Sequence, residues 1–380
     1  MLDHWRKNGC DNMEITRRLI DLFFVSVLLD AGAGDQWRYV EPGTEREYER
    51  SEGIAVASLY MFKDLAFCSK KEDGSPIVDG KCAIASTLYP TTNLNGVGKG
   101  LSDLTTKALA TGVQFSDSNH MLGLESRADL LRKLGKSLLA QSKVFGEEGR
   151  PGNIVGSYVC PKSPRKLTSS TDYMKATAKD GKVDIAVFWN ILQTLLIPVW
   201  PQDRTVVNGQ AIGDAWPLST LKQQNTTSDQ SNSSNIQPFH KLTQWLAYSL
   251  MVPFQRILGL EWTGTASLTA LPEYRNGGLF VDMGVLSLKH ESLSKGLKAS
   301  GHDLPMFKAG DDVVVEWRAM TLVLVDKLYK IVLERMDGVH LSMAQLLEAG
   351  TWKSGREVAA KKRPETKSSP IIIESDGTVF

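Results

Sequence analysis

Cysteine is scarce in this chain of 380 residues. The four, Cys10, Cys68, Cys82 and Cys160, contain no Cys-x-x-Cys and form no metal-like cluster. Scattered thiols in a chain without a secretion signal predict a reducing, cytoplasmic setting. Histidine is also sparse, and its six positions form neither His-x-x-x-His nor His-Glu-x-x-His, which disfavours a zinc hydrolase. A long hydrophobic run is lacking. The stretch 22–29, flanked by Asp21 and Asp30, is far short of the ~20 residues a membrane span needs. Charge of one sign is lacking too: the formal net charge is +1, so a basic face for nucleic acid is not expected. No strand–helix alternation and no Gly-x-Ser-x-Gly elbow is found, which argues against a Rossmann-type fold and an α/β-hydrolase.

What is present is helical periodicity. Apolar residues recur at helical spacing over 11–29, 53–67, 118–145, 183–199, 238–251 and 272–286. The stretch 312–333 is apolar nearly all round and predicts a central buried helix. Short helices are expected at 342–347 and 354–361, and a lone β-like run at 371–373. A polar turn region covers 71–80 and a loop 146–182. Residues 223–235 are almost all Gln, Asn, Ser, Thr and Asp and predict a disordered polar insertion. Gly96-Val-Gly-Lys-Gly100 superficially suggests a phosphate loop. No strand precedes it and its spacing fits neither nucleotide fingerprint, so a flexible loop is expected.

Three segments put charge among apolar residues, where it is costly unless paired or used. In the first, Lys241, Trp245 and Tyr248 fall on one helix face next to His240. They form either a ligand-holding aromatic face with one ammonium or a core-facing stripe with a snorkelling lysine. The second is Leu271-Pro-Glu-Tyr-Arg-Asn-Gly-Gly278. Pro272 is expected at the first helical position and Glu273 in the first turn, where the macrodipole favours a charged carboxylate. In the third, Glu316 and Arg318 lie two apart in the most apolar helix and cannot pair with each other. Arg275 is the expected partner of a structural Glu316. Asp30, at a helix C-terminus, is either a partner for a cation or a ligand contact.

These residues are part of a wider pattern. Val27-Leu-Leu-Asp-Ala-Gly-Ala-Gly34, Arg50-Ser-Glu-Gly-Ile-Ala-Val-Ala-Ser58, Pro238-Phe-His-Lys-Leu-Thr-Gln-Trp-Leu246, Val315-Glu-Trp-Arg-Ala319 and Ser375-Asp-Gly-Thr-Val-Phe380, with the Glu273 segment, resemble the uracil-catabolism protein family. That family acts where uracil is degraded through a ribosylated intermediate to urea. Its members carry a further N-terminal segment, so the helix over 11–29 is expected to lie partly uncovered here. The order of blocks is also similar to that of queuosine-salvage N-glycosidases, which have a fold like helix-hairpin-helix DNA glycosylases. Their short motifs align with Glu273-Tyr-Arg275, His240-Lys-Leu-Thr-Gln244, Glu316-Trp-Arg318 and Asp30.

The resemblances imply a mainly α protein with few or no strands, one helical domain over 1–380. They imply a cytoplasmic hydrolase that splits ribosylurea, or its phosphate, to urea and ribose. Glu273 and Lys241 would be catalytic. Asp30, Trp245, Tyr248, Arg275 and His240 would bind substrate, and Glu316 and Arg318 would be structural or supporting. Neither metal nor organic cofactor is implied. The partner is a small ribosylated molecule, with no nucleic acid and no membrane. The alternative is a non-catalytic scaffold or regulatory subunit of the same pathway.

Overall fold

Helices account for most of the residues described by the computed structural model, namely 1–30, 36–69, 97–156, 181–224 and 233–374. In chain order these are α1 (Leu2–Lys7), α2 (Asn12–Leu29), α3 (Arg50–Lys63), α4 (Val97–Ser102), α5 (Thr106–Gly112), α6 (Leu124–Ala140), α7 (Ser142–Phe145) and α8 (Ile185–Leu196). They continue with α9 (Ser219–Gln224), α10 (Lys241–Leu258), α11 (Tyr274–Asp282), α12 (His290–Ser300), α13 (Asp312–Arg335), α14 (Met343–Gln345) and α15 (Lys353–Lys362). Strands among the described residues are short and form five two-stranded sheets. Two of these are parallel and join distant stretches: Lys182–Asp184 with Glu261–Thr263, and Met306–Lys308 with Ile372–Glu374. The expected mainly α architecture is what forms. The lone run at 371–373 finds its strand partner in 306–308. The expected helix stop at 31–34, the turn region 71–80, residues 157–180 of the expected loop, residues 225–232 of the polar insertion and the terminal block 375–380 lie outside the described residues. At the edges of that insertion, α9 ends at Gln224, and Asn235 accepts a hydrogen bond from Leu218 N at 2.8 Å.

The chain divides into two compact units. One takes the described residues of Met1–Trp200 and Trp245–Ser267, the other those of Pro201–Gln244 and Leu268–Ser375. In the first unit α2 is the central element. Asp11 caps it by accepting Glu14 N at 2.7 Å. From Met13 to its end no residue is exposed. That corrects the expectation of an uncovered face: α1 lays buried Trp5 against Arg18, and the one-turn segment Pro151–Val155 packs against Arg17 and Asp21. The packing places acids and bases in the interior. Arg150 reaches Asp21 at 2.8 Å and Glu14 at 3.1 Å, and Gly152 N donates to Asp21 at 2.6 Å. Cys10 is a free thiol, but Cys68 is disulfide-bonded. This corrects the reading of four scattered thiols and removes the cysteine argument for a reducing setting.

In the second unit α13 carries the core. Val314, Val315, Trp317, Arg318, Thr321 and Val325 are buried, and Trp317 packs with Phe307 and Ile371. The sequence expectation of burial along the whole helix is corrected in its second half, where Val323 is 56% and Ile331 48% exposed. At 24 residues the helix is about 36 Å long, and the packed elements cover mainly its beginning.

The expected flexible loop at 96–100 is also corrected, since Val97–Ser102 is α4. Its glycines serve packing. A Cβ at Gly100 would lie 2.3 Å from Phe67 O, and one at Gly135 of α6 would lie 2.4 Å from Ser102 N and 2.5 Å from Gly98 O. The two helices therefore meet backbone to backbone. Alanine in a helix interior is ordinarily better than glycine by about 1 kcal/mol. Gly135→Ala is expected to do the reverse and lower the unfolding free energy by about 1–3 kcal/mol, the usual cost of overpacking. A urea titration measures this, and a stabilised variant would contradict the close contact.

Candidate functional site

Asp214 stands in the run Ala211-Ile-Gly-Asp-Ala-Trp-Pro-Leu218, just before the strand Ala215–Pro217. Its carboxylate is buried and meets the buried Arg318 of α13 fork to fork, with both N···O distances 2.7 Å. Trp216 Nε1 donates to the same carboxylate at 2.7 Å, and the main-chain N–H of Lys241 donates to it at 2.9 Å. The Asp214 carbonyl oxygen accepts the N–H groups of Phe239 and His240, each at 2.9 Å. Asp214 thus satisfies the start of α10, where N–H groups lack helical partners. The Phe239 ring lies 4.1 Å from the Arg318 guanidinium. Burial alone would raise the Asp214 carboxyl. Arg318, Lys241 N and Trp216 outweigh it and hold the pKa at about 2.

Arg318 also donates through Nε to Pro272 O at 3.2 Å. Helix α11 begins at Tyr274, so Pro272 precedes it and Glu273 is its cap, which corrects the expected first-turn placement. The Glu273 carboxylate accepts Arg275 N at 2.8 Å and Asn276 N at 2.7 Å. Burial pushes this carboxyl above its usual value. The two N–H groups and the charge of Lys241 pull it part of the way back. The Lys241 Nζ lies 5.9 Å from the Tyr274 ring centroid. Tyr274 stacks on Trp317 at 5.6 Å and 19°, and burial raises its phenol to about 12. Gly277 allows this stack, since a Cβ there would lie 2.8 Å from the Trp317 ring.

Lys241, Glu273, His240, Arg275, Glu316 and Arg318 belong to one unit. Arg275 donates to Lys367 O at 2.7 Å. Among the described residues no ion pair joins it to Glu316, which is half-buried, and the buried pair of α13 is made by Arg318 instead. His240 has a left-handed backbone, φ 48°, and burial lowers its imidazole pKa. Trp245 and Tyr248 share α10 with Lys241, but the unit boundary falls after Gln244, and Asp30 belongs to the first unit with them. There Asp30 accepts Ser51 Oγ at 3.1 Å and is the charge opposed to the buried Arg127.

Asp214 was not among the expected site residues. The signal was present, since it is a lone charge in an apolar run, the same criterion that selected Glu316 and Arg318. Several buried polar atoms around these segments have no hydrogen-bond partner among the described residues: His240 Nδ1, Thr243 Oγ1, Gln244 Nε2, Tyr274 OH and Asn276 Oδ1. Unpaired buried polar atoms are uncommon in folded proteins and call for an explanation. Among the described residues no group of His, Cys, Asp or Glu is placed to hold a metal ion, and no helix is long and apolar enough to cross a membrane.

The arrangement is that of a mainly helical protein with a buried acid–base cluster. The chain belongs to the family described as "Protein of unknown function (DUF1688)", which matches residues 1–380. It is 43% identical over 383 residues to "Protein urg3" of Schizosaccharomyces pombe, covering 100% of this chain and 79% of the relative. It is 40% identical over 392 residues to "Uracil catabolism protein 4" of Lachancea kluyveri, covering 100% of this chain and 81% of that protein. The resemblance noted from the sequence blocks agrees with these matches.

The Asp214–Arg318 pair predicts a pH dependence. The folded pKa of Asp214 lies below its ordinary 3.8, so its contribution is complete above about pH 4 and is lost as pH falls towards about 2. The shift corresponds to roughly 2 kcal/mol. Asp214→Asn should remove that acid step and also cost about 3–5 kcal/mol at pH 7, because it leaves a buried guanidinium uncompensated. Urea titrations between pH 7 and pH 2 read both effects. Parental stability at pH 7 would contradict the second.

Proposed function

We propose that this chain is a hydrolase of uracil breakdown that cleaves an N-ribosidic bond, with ribosylurea or its phosphate as substrate. In this reaction the bond between the anomeric carbon and the urea nitrogen breaks. Water supplies the oxygen that replaces nitrogen on the sugar, and a proton passes to the departing urea. The observation that carries the reading is the Glu273 carboxylate, held by two main-chain N–H groups in the field of Lys241. The naming of one relative as a uracil catabolism protein supports the pathway.

The chemistry follows from the charges. Departure of the urea leaves an oxocarbenium-like sugar, as in glycoside hydrolysis. A carboxylate that needs no reorganisation stabilises that cation or takes the proton from water. Its two N–H bonds fix the orientation and leave the outer lone pairs for these tasks. The Lys241 ammonium orients the carboxylate or donates to the leaving nitrogen. The unpaired polar atoms of Thr243, Gln244, Tyr274 and Asn276 offer both donors and acceptors. That suits a small, hydroxyl-rich, urea-bearing molecule, as a buried site needs such groups satisfied. Tyr274, with its phenol held at about 12, stays neutral and can donate. A helical fold akin to the N-glycosidases of queuosine salvage would suit this chemistry, and the reading calls on no cofactor.

Incubating the protein with ribosylurea and its phosphate and assaying urea tests the proposal. Glu273→Gln is expected to lower the rate by about 10²–10⁴ with little change in melting temperature. Glu273→Asp should retain part of the activity, because the shorter arm misplaces the carboxylate. A Gln variant at the parental rate would remove Glu273 from the chemistry. A parent silent on both substrates would favour a non-catalytic pathway subunit.

A further inference from the structure

Lys241 and Glu273 come from separate segments, and both segments are anchored to one buried ion pair. On one side, Asp214 accepts the Lys241 N–H through its carboxylate and the Phe239 and His240 N–H groups through its carbonyl oxygen. On the other, Arg318 Nε holds the carbonyl of Pro272, the residue directly before Glu273. Two bonds of 2.7 Å lock the guanidinium to the carboxylate. We infer that Asp214 and Arg318 are positioning residues that set the separation between the Lys241 ammonium and the Glu273 carboxylate. The inference rests on the proposed reading of those two groups as the reacting pair.

Several observations favour positioning over stability alone. A buried ion pair is commonly replaceable by apolar residues of similar volume without loss of stability, so its energy does not explain its use. Its fork geometry tolerates little displacement, and that is what a site sensitive to misplacement by about 1 Å requires. All three guanidinium nitrogens of Arg318 are engaged, two on Asp214 and one on the Glu273 segment. A lysine could not make this set of contacts. The left-handed backbone of His240 is strained for a residue with a side chain. It lies beside Lys241, where the bonds from Asp214 hold the backbone. Hydrogen bonds tie the Arg318 side chain to Asp214 and to Pro272, each one bond away from the segments of Lys241 and Glu273. Its influence on them runs through Asp214 and Pro272.

The test reads the Glu273 carboxyl directly. Protein labelled with ¹³C at the glutamate carboxyl is titrated by NMR, with Glu273→Gln assigning the resonance. The parent is compared with Lys241→Met, with Asp214→Leu/Arg318→Met, and with all three changes together. Loss of the ammonium is expected to raise the Glu273 midpoint. The apolar pair replacement should raise it similarly, and the triple variant should go no higher than Lys241→Met. A midpoint left at the parental value by the pair replacement would overturn the inference. If that variant does not fold by circular dichroism, Arg318→Lys replaces it and is judged by the same criterion. Kinetics on ribosylurea supply the second readout: kcat about 10²-fold lower in the pair variant with KM little changed. A fall in KM-type binding alone, with kcat kept, would also overturn the inference. If the parent releases no urea, the hydrolase reading fails, and the titration still decides whether the pair positions Lys241 against Glu273.

Discussion

Burying a charge is the constraint on which the second unit depends. Asp214 and Arg318 are almost wholly removed from water, at side-chain exposures of 1% and 2%. Neither could stay there without the other and without hydrogen bonds for the remaining lone pairs and protons. The chain meets that condition by bringing four stretches to one point. These are the strand at Ala215–Pro217 through Trp216, the start of α10 through Lys241 N, the approach to α11 through Pro272 O, and α13 itself. The first unit answers the same problem differently. There Arg150 divides its guanidinium between Asp21 and Glu14, and Gly152 N completes the set. In both places an arginine acts because its planar fork can engage several oxygens at once.

The fold was largely legible from periodicity and the candidate site was legible in part. The helices at 11–29, 183–199 and 312–333 appear near their expected positions because a 3.6-residue apolar repeat is a strong local signal. Glu273 could be selected as a helix-start carboxylate, but not as the cap itself. Whether a proline starts a helix or precedes it depends on who uses its carbonyl, and Arg318 lies far along the chain. The partner of Arg318 was illegible for the same reason. Asp214 and Arg318 are 104 residues apart, and nothing local relates them. The exposed second half of α13 was misjudged because an apolar helix reads the same whether its neighbours cover all of it or only its beginning.

Small residues were the other source of misreading. The glycines of α4 suggest a nucleotide loop when seen as a string, yet Gly98 and Gly100 let the backbones at Glu148–Gly149 and Phe67–Cys68 come close, as Gly135 of α6 does for α4 itself. Gly277 does similar work for the Tyr274–Trp317 stack, and Gly355 brings α15 against the Arg275 backbone of α11. In each case the sequence records that something comes close. Only the fold tells whether the visitor is a phosphate, a ring or another helix.

The distance between Asp214 and Arg318 along the chain has a consequence in time. Ribosomes add roughly 5–20 residues per second, so over a separation of 104 residues the aspartate is made about 5 to 20 s before its arginine exists. Until then the carboxylate must stay in water, and the beginning of α10, which it satisfies, cannot settle into its final place. The parallel pairing of Met306–Lys308 spans fewer residues but is completed later in synthesis, once Ile372–Glu374 has been made. The segment that carries Lys241 therefore becomes ordered only after α13 has been made.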